Sequence, residues 1–190
     1  MIKSKKEIKA FLSGCFLAAE RWKKRDDPYD YDSFILSNTE FLPENIDTKQ
    51  TLEQRAIFYK GASEALNIIL RVAEFADDNY VCIGPFFQQE NYYGWKDRKK
   101  YEIFRSLNKV LGNKKSILVD IEEDVVFLGD IVAANFKYLS KIGLFLKKAN
   151  VLVLPTHNME LIVFSNTLDK TKKLFGEAIT GTGWKIFEGI

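Results

Sequence analysis

The chain is 190 residues long, with 28 Lys and Arg against 26 Asp and Glu and a formal net charge of +2. That balance excludes a uniformly basic nucleic-acid binder, and 46% apolar residues exclude a disordered chain. Two cysteines are too few for a disulfide framework, and one histidine excludes a histidine metal cluster.

Ser4-Lys5-Lys6-Glu7 has the form of a capping box, in which a hydroxyl and a carboxylate satisfy free amides at a helix start. A helix is predicted over residues 5–25, because Ile8, Phe11, Leu12, Cys15, Ala19 and Trp22 recur at three- and four-residue intervals. Within it, Leu12-Ser13-Gly14-Cys15 matches the cleavage consensus of bacterial lipoproteins. Glu7 and Lys9 interrupt the apolar stretch such a signal requires, so the segment reads as helix instead. Cys15 and Cys82 both stand in apolar surroundings and read as reduced core residues, which suits a cytoplasmic setting.

Residues 26–50 carry Asp26, Asp27, Pro28, Asp30, Asp32 and Pro43 and read as an acidic connecting segment, with at most a short helix around Phe34. Thr51-Leu52-Glu53-Gln54 is a second capping-box candidate. It opens a helix over residues 51–77 whose expected core stripe is Leu52, Ala56, Tyr59, Ala62, Leu66, Ile69 and Ala73. A strand follows over residues 80–84, then an aromatic loop, a helix over 97–111, a strand over 116–121 and a helix over 130–148. Two apolar runs, 151–154 and 161–164, flank Pro155-Thr156-His157-Asn158 in the pattern of a hairpin. A helix over 167–178 and an edge strand over 184–187 close the chain. The expectation is a single α+β domain, 1–190, with a mixed sheet of about five strands covered by four or five helices. No run of about 18 apolar residues is present to span a bilayer.

Three segments carry chemistry. Asp120-Ile121-Glu122-Glu123-Asp124, with Asp130 shortly after, is the densest carboxylate cluster, at the end of a predicted strand. Such a cluster can pair with a basic partner; alternatively Asp120, Glu122 and Asp130 could hold a divalent cation, since hard cations take oxygen ligands. The loop over residues 84–95 holds Tyr92, Tyr93 and Trp95 among glycines and amides, rigid rings of the kind that anchor interfaces. Lys96, Arg98 and Lys99 follow Trp95, and aromatics beside cations also suit single-stranded nucleic acid. His157 reads as a polar turn residue, and Thr180-Gly181-Thr182-Gly183 as a turn without the lysine or helix of a phosphate loop.

With no catalytic constellation, no metal and no cofactor motif, the expected function is a non-enzymatic protein-interaction module. Its contacts would be Glu122, Glu123 and Asp124 toward a cationic partner protein, with Tyr92, Tyr93 and Trp95 as anchors. Immunity or antitoxin proteins that cover bacterial toxins act in this way. A metal-dependent hydrolase or nuclease and a single-stranded nucleic-acid module are the alternatives.

Overall fold

A computed structural model describes residues 5–13, 32–41, 52–85, 116–138 and 142–188. In chain order these form α1 (Lys5–Phe11), β1 (Ser33–Ser37), a 3₁₀ turn (Thr39–Phe41), α2 (Leu52–Phe75), β2 (Tyr80–Pro85) and β3 (Ile117–Asp120). There follow α3 (Val125–Tyr138), β4 (Ile142–Leu146), β5 (Val151–Pro155), β6 (Leu161–Ser165), α4 (Leu168–Ala178) and β7 (Lys185–Glu188). The proposed caps Ser4 and Thr51, the rest of the first predicted helix and the predicted 97–111 helix lie outside the described residues. Among the described residues, no helix is long and apolar enough to cross a membrane.

Among the described residues the fold is α+β, with one seven-stranded sheet in the order β3-β2-β4-β5-β6-β1-β7 rather than about five strands. The two additional strands are β1 and β4. β1 lies where a connecting segment with a short helix is expected: Phe34 and Leu36 point into the core and Ile35 toward the opposite face. β4 replaces the second half of the expected 130–148 helix. It is buried along its whole length, so its sequence is a continuous apolar run that periodicity cannot tell from a buried helix.

All six neighbouring pairs of described strands are antiparallel, so the parallel pairing expected of a mixed sheet is absent among the described residues. The reason is topological. β3 and β4 do run in the same direction, joined by α3, but β2 lies between them; β6 and β7, joined by α4, enclose β1 in the same way. Two three-stranded units of one topology therefore stand side by side, with β5 between them. α2, α3 and α4 all cross one face, and the strand directions give the three crossovers the same hand, as right-twisted strands require.

One row of cross-strand partners, Ile117, Ile83, Leu144, Val153, Val163, Phe34 and Glu188, traverses the entire sheet beneath these helices. Its apolar members pack on α2 through Phe58, Ala65, Ile69 and Val72, on α3 through Leu128, Ile131 and Val132, and on α4 through Phe175. The Phe34 and Phe175 rings meet edge to face with centroids 5.6 Å apart. Glu188, at the rim, pairs with Lys172 of α4 at 2.7 Å. A second row, Leu118, Cys82, Phe145, Leu152 and Phe164, lines the other face, where Ile8 of α1 and Leu12, just after it, cover it. Lys147, at the end of β4, sits 5.3 Å above the Phe11 ring and ties α1 down. Cys82 is buried in this row, as expected, and Cys15 lies outside the described residues.

α2 differs from expectation in its first turns. Ala62, Ile69 and Ala73 are buried and Leu66 is partly so, but Leu52 is 82% and Tyr59 64% exposed, with Ala56 also in solvent. The buried stripe instead begins at Phe58, about 100° around the helix from Tyr59. A helix of 24 residues is about 36 Å long and a five-residue strand about 17 Å, so α2 outruns the sheet. There it meets Phe41 and the β5–β6 hairpin tip: a Cβ on Gly61 would collide with the Met159 methyl and lie 3.1 Å from the Phe41 ring.

The far end of α2 closes with Asp77 in a left-handed conformation at φ 58°. The Asp77 N–H donates to the Glu74 carbonyl at 3.0 Å and the Asp78 N–H to the Ala73 carbonyl at 2.8 Å, a Schellman termination. The Asp78 carboxylate then turns onto the β4–β5 corner. It accepts the backbone N–H of Lys148 at 2.9 Å and of Ala149 at 3.0 Å, while Asp77 pairs with the Lys148 side chain. Desolvation outweighs these bonds and holds the Asp78 carboxyl above its ordinary range.

Gly176 lies in α4 with open space where a Cβ would be, so Gly176→Ala should stabilise the protein by about 0.5–1 kcal/mol in chemical denaturation. Asp78→Ala should cost about 1–3 kcal/mol by stranding the partly buried amides of the corner. Because the folded chain takes up the Asp78 proton at higher pH than the unfolded chain, that group's contribution to stability falls as pH rises from the ordinary carboxylate value through the raised one. Asp78→Asn should remove this slope from a pH series of unfolding free energies.

Candidate acidic interaction surface

The carboxylate cluster lies where β3 passes into α3, at one edge of the sheet. Four residues, 121–124, form a turn. Asp120 is directed into it: its Oδ1 accepts the backbone N–H of Glu122 at 3.0 Å and of Glu123 at 3.1 Å. The Asp120 carbonyl accepts the Asp124 N–H at 3.2 Å, and the Asp124 carbonyl accepts the Leu128 N–H at 3.1 Å, which starts the helix. On the strand side, the Ile121 N–H donates to the Asn79 carbonyl at 3.1 Å. The local sequence thus folds as a short-side-chain acceptor followed by carboxylates over a helix N-terminus, where aligned peptide dipoles favour negative charge.

This arrangement sorts the acids into two groups. Asp120 is half-buried and occupied with the turn, and Asp124 is half-buried and has further contacts. Glu122 and Glu123 are exposed, and no ion pair joins either to another described residue. Val126, 77% exposed, and Asp130, also exposed, continue the same outward side of α3 at three- and four-residue spacing. The surface is an acidic shoulder around one apolar side chain.

The alternative metal set, Asp120, Glu122 and Asp130, is not assembled: among the described residues no three His, Cys, Asp or Glu side chains converge to hold an ion. Tyr92, Tyr93 and Trp95, with Lys96, Arg98 and Lys99, lie outside the described residues. Of the acidic segment 26–50, Asp32 directly precedes β1 at the same end of the sheet as the shoulder, but five strand spacings away, about 24 Å. Glu40 lies beyond the opposite end of β1. The described acids of the two segments therefore do not share one continuous surface.

His157 is exposed at the hairpin tip, which closes through Thr156 N–H to the Glu160 carbonyl at 2.8 Å and Met159 N–H to the Thr156 carbonyl at 3.0 Å. Thr180-Gly181-Thr182-Gly183 is a turn leading into β7, with Gly181 at φ +80°. Beside it lies a cleft of about 390 Å³ that includes Glu64, Asn67, Arg71, Glu74 and Thr182. Its spacing of 64, 67, 71 and 74 is a polar helical stripe readable in the sequence. Two of its charged groups serve the fold: the Trp184 indole N–H donates to Glu64 at 3.1 Å, and Arg71 donates to the Thr180 carbonyl at 3.2 Å. Compared with protein-family models, with curated proteins and with solved structures, the chain matches none of them.

Asp120→Ala should cost about 1 kcal/mol, the usual value of a helix-start acceptor, and should speed hydrogen exchange at the Glu122 and Glu123 amides. Glu122→Gln with Glu123→Gln should leave stability within about 0.5 kcal/mol of the parent, because both side chains are in solvent.

Proposed function

We propose that the chain is a non-enzymatic protein-interaction module whose acidic shoulder docks a partner with a cationic surface. The observation that carries this reading is the division of labour in the turn: Asp120 is spent on backbone amides, which leaves Glu122 and Glu123 presented in solvent on a fixed scaffold beside Val126. Fixed charges at an interface rim steer diffusional encounter, and an apolar side chain among them supplies area to desolvate. Asp124 adds charge next to the exposed pair. Tyr92, Tyr93 and Trp95 are the aromatic anchors of this reading. An inhibitor of the immunity or antitoxin type, which covers the basic active site of a toxin, is the form of module this chemistry suits best, and it would work in the cytoplasm.

The test is capture of the native partner followed by association kinetics across a salt series. With Glu122→Gln and Glu123→Gln, the association rate should fall and its dependence on salt should flatten, while dissociation changes little. Identical rates and salt slopes for parent and variant would overturn the electrostatic role.

A further inference from the structure

We draw no further inference here: the strongest candidate, the outward apolar stripe of Leu52, Ala56 and Tyr59 on the first turns of α2, is an exposed face and nothing in the structure shows what covers it.

Discussion

β2 hydrogen-bonds to β3 on one side and β4 on the other, and β1 to β6 and β7 in the same manner. Each of these inserted strands forces its two neighbours to run in the same direction, so the chain must return across the sheet between them, and it does so as a helix. The crossover helices α2, α3 and α4 thereby share one face, and their apolar sides form one core with the row that crosses all seven strands. Phe34 of β1 is central to this arrangement: it stands between Val163 and Glu188 in the register and meets Phe175 from above. Burial of such rings dominates the energetics of a core, so the inserted strand is an energetic as well as a topological centre.

The same topology collects acidic groups at one end of the sheet, where α2 ends and α3 begins. Asp78 is buried and satisfied by the amides of the β4–β5 corner, Asp77 is paired with Lys148, and Asp120 is used by its own turn. Only after these structural duties are subtracted do Glu122, Glu123 and Asp130 remain as surface charge. Carboxylates that look alike in a composition count thus differ in what they are free to meet. The near-neutral total conceals this, because it averages over groups that are already neutralised locally and groups that are not.

Strands β2, β3, β5, β6 and β7 and helices α2 and α4 were legible because each carries a periodicity or a bounded apolar run. β1 was not: five residues in an acidic stretch offer too short a window for alternation to register. β4 was not for the opposite reason, since burial of both faces erases alternation. Strand–helix alternation suggested parallel pairing, which fails because an earlier strand lies between β3 and β4 and another between β6 and β7, so strands that run the same way are never neighbours. In α2 the period was right and the phase wrong at the start, because Leu52, Ala56 and Tyr59 mimic a core stripe on the side away from the sheet. The acidic tract was visible as composition. The inward turn of Asp120 was not, since only backbone geometry separates a capping carboxylate from its exposed neighbours.

The placement of β1 has a kinetic consequence. Its neighbours β6 and β7 are encoded at the far end of the chain, so Ile35 must wait for Ile162 and Phe187 before it acquires either ladder. During synthesis from the N-terminus, β1 emerges before β6 and β7 and has neither ladder until they follow. Closing that long loop is an entropic step that no local contact can prepay. The first unit, by contrast, is contiguous from β2 to β4, so it can be complete while β1 still lacks its partners.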